Sequence, residues 1–395
     1  MIEPSRRLKG VLPGHTPPQP GELLSSWIIR LAIQNGLKAH SLCQLIWRDH
    51  PVWNRDIDNS APTELLDAMS RATGQSVEVV RDLTLSSYEG RVFERHNPTG
   101  YTRWLLPLGI YHRTRKRHGQ QFCPSCLDEG VPYYRKAWRL AFVVACERHC
   151  APLSDRCRCG APVSFHRADI GRLDAVPTRS SFLCCFLCGE DLRASCGDAV
   201  DLAVLSAALE AQRTCNEALR SGYAELPQGR MIASMLYFDG LHQLLRILVA
   251  ARKANELRVT ISDWRHGNGD DLEVGVSSVE RIDAKNRLIL MALVSEWLRG
   301  WPAAFVESCE RTGLTASDIY RDMPQVPYWL ASVVEESLDR STYSPTLPEI
   351  RNAIAYLRRR DLVVNRTSVS RLLGAHDAFR KRHLRYLLVD ESTGE

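Results

Sequence analysis

The alternation of apolar and polar positions predicts a chain built mainly of α-helices. From Gly21 it reads Gly-Glu-Leu-Leu-Ser-Ser-Trp-Ile-Ile-Arg-Leu-Ala-Ile-Gln-Asn-Gly. Trp27 and Leu31 share a helix face, Ser25 or Ser26 can cap the first turn, and Gly36 can close the last. Helices follow near Ala39 to Trp47, Pro62 to Thr73 and Val77 to Leu85. Their short-helix, short-turn rhythm predicts a helix-turn-helix-like bundle over residues 1–120. The stretch from Tyr133 to Val144 is amphipathic and then apolar, with Trp138 and Phe142 as core. Further helical patterns cover Asp201 to Leu219, Gly229 to Glu256, Ala284 to Gly300 and Trp301 to Thr312. In the second of these Met231, Met235, Phe238, Leu241, Leu245 and Leu248 form a stripe that reads as core. Arg258 to Ser278, with Gly267-Asn-Gly-Asp-Asp271, reads as a loop or short hairpin.

The end of the chain has its own grammar. Ile350 to Arg360 predicts a helix, Thr367 to Leu373 a second one capped by Thr367 or Ser368, Gly374 a tight turn, and His376 to Leu387 a third helix. The expected organisation is therefore three regions. They are an N-terminal helical region (1–120), a metal-binding middle (121–197) and a helical C-terminal domain (198–395) that ends in a basic helix-turn-helix-like segment (350–388).

The middle region is defined by sulfur and imidazole. Cys123-Pro-Ser-Cys126, Cys146-Glu-Arg-His149, Cys157-Arg-Cys159-Gly160 and Cys185-Phe-Leu-Cys188-Gly189 follow one another, with connectors of 19 residues (127–145) and 25 residues (160–184). Short pairs of donors joined by longer connectors bring four ligands to a tetrahedral zinc ion. Consecutive pairing gives one site of three thiolates and an imidazole, and a second of four thiolates. Both are closed, structural sites, because a hydrolytic zinc leaves one position for water. Cys184 competes with Cys185, Cys150 with His149, and the Cys157-Arg-Cys159 step is one residue shorter than the usual knuckle; Cys196 is a spare. Gly160 and Gly189 permit the left-handed turn that follows the second sulfur of such a knuckle. Arg148, Arg156 and Arg158 stand close enough to offset thiolate charge. Cys43, Cys215 and Cys309 lie in apolar helical stretches and read as small buried hydrophobes.

Composition narrows the function classes. At 395 residues, the chain can bury an ample core, so metal would be a local staple. No run of 18 apolar residues predicts a membrane span, and no apolar leader opens the sequence. Seven candidate thiolate ligands beside six other cysteines suit a reducing cytoplasm. No P-loop, dinucleotide fingerprint, HExxH or nucleophile elbow is present, so catalysis is not expected.

The net charge of +5 is modest, but its distribution is not. Thr102 to Gln121 holds Arg103, Arg113, Arg115, Lys116 and Arg117 with no acid, and predicts an arm that contacts phosphate or a partner. From Arg351 to Arg385 ten basic residues face two acids. There Arg380, Lys381, Arg382 and Arg385 are expected to contact phosphate or dock a partner, and Arg366 and Arg371 to position the backbone.

These motifs together resemble the TniQ family, related to TnsD, the target-selection proteins of bacterial transposons. The resemblance is carried by Pro20-Gly-Glu22-Leu-Leu-Ser-Ser26-Trp27-Ile-Ile-Arg30-Leu-Ala-Ile-Gln-Asn35-Gly36, then Cys123-Pro-x-Cys126, Trp138, Cys146-x-x-His149, Leu153 and the later cysteine pairs, and covers about residues 18–195. It implies a non-catalytic adapter that joins a target-recognising element to an AAA+ ATPase regulator and so positions a transposase. The recogniser would be DNA or an RNA-guided Cascade-type complex, and a homodimer is possible in such relatives. Two structural Zn2+ ions are the implied cofactors, on Cys123, Cys126, Cys146 and His149, and on Cys157, Cys159, Cys185 and Cys188. The shortened Cys157-Arg-Cys159 step departs from the family's commoner spacing. A stand-alone zinc-containing helix-turn-helix DNA-binding regulator is the alternative, and a bacterial cytoplasmic, nucleoid-associated location is expected for either.

Overall fold

In the computed structural model the chain folds as a mainly helical protein with three two-stranded antiparallel hairpins among the described residues. The structure describes residues 10–48, 51–167, 182–194, 200–250, 253–261, 278–321, 323, 325–338, 344–375, 377–379 and 387–388. The N-terminal bundle comprises α1 (Leu24–Gln34), α2 (Ala39–Ile46), α3 (Ile57–Ser60), α4 (Thr63–Thr73) and α5 (Val77–Asp82). Trp27 and Leu31 of α1 are fully buried, as their spacing predicts. The first turn of α1 is not capped by its own serines, however. Both serines lie inside the helix, and Asp58 supplies the cap: it accepts from the Ser25 backbone N–H at 2.8 Å and the Ser25 hydroxyl at 2.7 Å. Ser26 instead donates to buried Glu22 at 2.8 Å, and Arg30 grips the same carboxylate at 2.8 and 2.7 Å.

After the bundle come a basic hairpin, β1 (Ile110–Tyr111) and β2 (Thr114–Arg115), the short helix α6 (Pro124–Asp128), and a second hairpin, β3 (Ala145–Cys146) and β4 (Ala151–Pro152). Between α6 and β3, Trp138 and Phe142 are buried, as expected. The C-terminal helices are α7 (Leu202–Ser221), α8 (Ser234–Ala250), α9 (Ala254–Ile261), α10 (Ala284–Arg299), α11 (Ala303–Thr312), α12 (Ala316–Tyr320) and α13 (Tyr328–Ser337). The most extensive helix–helix contact is between α7 and α10.

The single helix expected from Gly229 to Glu256 is divided. Residues Tyr223–Leu226 and Arg230–Ala233 form the hairpin β5–β6, then α8 begins at Ser234 and α9 follows at Ala254. Period-2 alternation decides the strands: Ala224, Leu226 and Ile232 point inward, while Tyr223 and Met231 are about half exposed. Phe238, Leu241, Leu245 and Leu248 keep the buried stripe. Gly240 lets Trp329 lie on α8, since a Cβ there would sit 2.2 Å from the indole ring. The loop or hairpin expected for 258–278 is corrected at its start, where residues 258–261 are helical and belong to α9, and residues 262–277, with the Gly267 to Asp271 turn, lie outside the described residues.

One hydrophobic cluster runs from Leu12 to Leu338 through the bundle, the metal-binding middle and α7 to α13. Trp104 is a junction within it, with edge-on rings at 5.5 Å from Phe142, 5.8 Å from Phe238 and 5.2 Å from His242. The last segment has its own small core around Ile350, Ile354, Leu357, Val369 and Phe379. It contains α14 (Leu347–Arg359) and α15 (Arg366–Leu372). α14 starts at a Thr346–Glu349 capping box, three residues earlier than the pattern predicts, and α15 is capped by Asn365 and not by Thr367 or Ser368. Gly374 takes the left-handed turn, and most of the expected third helix lies outside the described residues. No single described helix is long and apolar enough to cross a membrane.

Candidate metal centres

The eight proposed ligands gather into two groups of four. In the first, Cys123 precedes α6 and Cys126 lies on it, while Cys146 ends β3 and His149 lies in the turn to β4. Cys126 Sγ is 3.6 Å from Cys146 Sγ, and His149 Nδ1 lies 3.4, 3.4 and 3.3 Å from the sulfurs of Cys123, Cys126 and Cys146. Sulfurs on a tetrahedral zinc with bonds of about 2.3 Å stand about 3.8 Å apart, so the donors are already at coordination distance. In the second group Cys157 and Cys188 are 3.6 Å apart, and Cys159 and Cys185 3.7 Å. The shortened step is accommodated by a tight turn: Gly160 donates to the Cys157 carbonyl at 2.8 Å with a φ of +82°, and Gly189 donates to Cys185 at 2.9 Å with a φ of +78°.

The competing ligands are resolved by position. Cys185 joins the cluster and Cys184 does not; His149 joins and Cys150 is exposed, its thiol donating to the Glu147 carbonyl. Cys43, Cys215 and Cys309 are buried in the helical core, and burial pushes the Cys43 and Cys309 thiols up to about 12. Cys196 lies outside the described residues.

Four soft donors packed this closely cannot all ionise without a cation between them. Cys146 is held well below the usual thiol range, first by hydrogen bonds from the Cys123 and Cys126 thiols, while Cys126 is driven up by its bonds to Cys123 and Cys146. The donor set of three thiolates and an imidazole, and that of four thiolates, both suit a divalent, borderline-soft metal and leave no position for a substrate.

Two carboxylates that the ligand spacing does not announce stand behind these centres. Glu129 Oε1 is 2.9 Å from His149 Nε2, which fixes the imidazole so that Nδ1 faces the sulfurs, and Arg148 pairs with the other Glu129 oxygen at 2.8 Å. Glu190 lies 3.7 Å from Cys157 Sγ and 3.5 Å from Arg158. The arginines expected to offset thiolate charge thus engage carboxylates instead, Arg156 pairing with Asp155 at 2.7 Å.

The basic residues divide by burial. Arg115 is a correction to the expected contact arm. Its place on β2 turns it inward, where it is 3% exposed, donates to the Val163 carbonyl at 2.8 Å and lies 4.8 Å over the Phe165 ring. Burial, then the neighbouring Arg139 charge, lower it to about 10. Arg113, Lys116 and Arg117 are exposed, with Arg113 at the hairpin turn donating to Asn54 at 3.2 Å. Arg371 is exposed on α15, whereas Arg366 is held in an ion pair with Asp377. Arg380, Lys381, Arg382 and Arg385 lie outside the described residues.

Residues 13–153 match the TniQ family model. The chain carries a TniQ-family domain. The match takes in the N-terminal bundle and all four donors of the first centre, and it stops short of the second, which begins at Cys157. A TniQ domain associates the chain with transposition and its target selection. No curated protein matches the chain.

Proposed function

We propose that the chain is a non-catalytic adapter of bacterial DNA transposition, stapled by two structural zinc ions, which joins target recognition to an AAA+ regulator and so to the transposase. The observation that carries this reading is the TniQ domain over 13–153 with a complete four-donor centre built into it. Zinc is favoured by the mixed thiolate and imidazole donors, by sulfur spacings near those of a zinc tetrahedron, and by the carboxylate that orients His149. Ligand saturation supports a scaffolding role over hydrolysis. Such an adapter acts in the bacterial cytoplasm at the nucleoid. Capture of the cognate ATPase and of the targeting component by the purified protein tests the reading, and reproducible failure to bind either overturns it.

A stand-alone DNA-binding regulator is the second reading. It is supported by the separate small core of α14 and α15, whose surface carries Arg351, Arg358, Arg359, Arg360 and Arg371. Adjacent genes for a transposase and an ATPase favour the adapter; their absence favours the regulator.

A further inference from the structure

A cavity of about 240 Å³ opens where the basic hairpin, the second metal centre and the start of α10 meet, lined by Lys116, Arg117, His118, Arg156, Arg281 and Arg287 among others. We propose that it seats a backbone phosphate of a nucleic-acid strand.

The charges at the rim are unevenly engaged. The two carboxylates that line the cavity serve the fold: Glu280 binds His242 and the Trp104 N–H, and Asp283 caps α10 through the Asn286 N–H at 3.0 Å. Arg156 is paired with Asp155. Lys116, Arg117 and Arg281 are exposed and have no carboxylate within ion-pair distance among the described residues. Deeper in the wall, Arg287 is 2% exposed and its Nε has no partner among the described residues. A concave site with this surplus of positive charge concentrates an anion.

The rim is also pre-positioned. The backbone of Lys116 and of Arg117 donates to Leu108 at 3.2 and 3.1 Å, and the Arg117 stem lies across Gly109, where a Cβ would come within 2.9 Å of it. His118 is 3.0 Å from the Gly160 carbonyl, which follows Cys159, so the second metal centre braces one wall. Arg113, at the turn of the hairpin that precedes Lys116, is exposed as well. An open cavity rimmed by the exposed cations Lys116, Arg117 and Arg281 suits a strand passing over it better than an enclosed small anion.

The inference rests on the nucleic-acid side of the transposition reading, but its test needs no transposase or ATPase, so the two can fail separately. Binding of fluorescent duplex DNA and of single-stranded RNA is measured against salt for the full chain, for Lys116→Glu/Arg117→Glu, for Arg281→Glu, and for a charge-matched control, Arg71→Glu/Arg81→Glu on α4 and α5. The cavity variants should weaken binding of at least one strand about tenfold and lower the slope of log K against log salt by about 1, the loss of one phosphate contact. The control should do neither, and melting curves and metal content should match across all four proteins. Stronger loss for DNA or for RNA identifies the source of the phosphodiester. Unchanged affinity and slope in the cavity variants, equal weakening in the control, or displacement of neither strand alongside saturable binding of inorganic phosphate alone would overturn the proposal.

Discussion

Gln212 on α7 closes a three-way hydrogen-bond clamp on Ala145, the residue before Cys146 of the first candidate metal cluster. Its Oε1 accepts the Val144 and Ala145 N–H groups at 2.7 and 3.0 Å, and its Nε2 donates to the Ala145 carbonyl at 2.9 Å. The first metal knuckle is thus held from a helix 67 residues away in sequence.

Replacing Gln212 with Leu would strand two buried N–H groups and a carbonyl in apolar surroundings. Each unsatisfied group costs about 1–3 kcal/mol, and partial relaxation leaves a net loss of about 2–4 kcal/mol. Chemical denaturation should show this loss, together with faster release of metal from the first centre to a chelator. An unchanged midpoint would mean that the clamp contributes nothing.

Arg139 is the second predicted weak point. It is 1% exposed and pairs with Asp56 at 2.6 Å and Asp58 at 3.6 Å, and Asp58 in turn caps α1. Burial, with the nearby Asp56 charge, already pushes the Asp58 carboxyl up, so removing the guanidinium leaves two crowded acids. Arg139→Met should destabilise by about 3–5 kcal/mol, and Asp58→Asn added to it should recover part of the loss. Denaturation midpoints of the single and double variants check both statements.

The Trp104–Glu280–His242 junction sets an acid limb. Burial alone would raise Glu280, but hydrogen bonds from His242 at 3.0 Å, from Ser278 and from the Trp104 N–H at 2.7 Å hold it at about 2. A depressed carboxyl contributes stability above its unfolded value, near 4.5, that is lost as pH falls toward 2. The full contribution is about 3 kcal/mol. The stability difference between wild type and Glu280→Gln should therefore shrink between pH 5 and about 2. Taking the difference removes the acid loss of metal common to both proteins. A gap that stays constant over that range would contradict the assignment.

Local signals in the sequence carried much of this architecture. Ligand order and spacing located both clusters, and the Trp27–Leu31 face, Trp138 and Phe142 were readable as core from the local apolar pattern, although the ring that stacks on Phe142 is the distant Phe238. Arg115 was not readable, since a run of cations does not say which one a two-residue strand turns inward. The β5–β6 hairpin has a period-2 pattern, but Met231 and Met235 also fit helical spacing, and the Pro227–Gly229 turn decides between them. Asp58, Glu129, Gln212 and Glu280 act on residues 20 to 176 positions away, a range at which periodicity is silent.

Bound metal counted by elemental analysis of reduced, chelator-free protein tests the account most directly. Two zinc ions per chain are expected, one per cluster, with Cys123→Ser and Cys188→Ser each losing one of them. Cys123→Ser should also lower the melting temperature, because binding at a structural centre contributes to folding. Wild-type protein without stoichiometric metal, or both variants with an unchanged content, would contradict it.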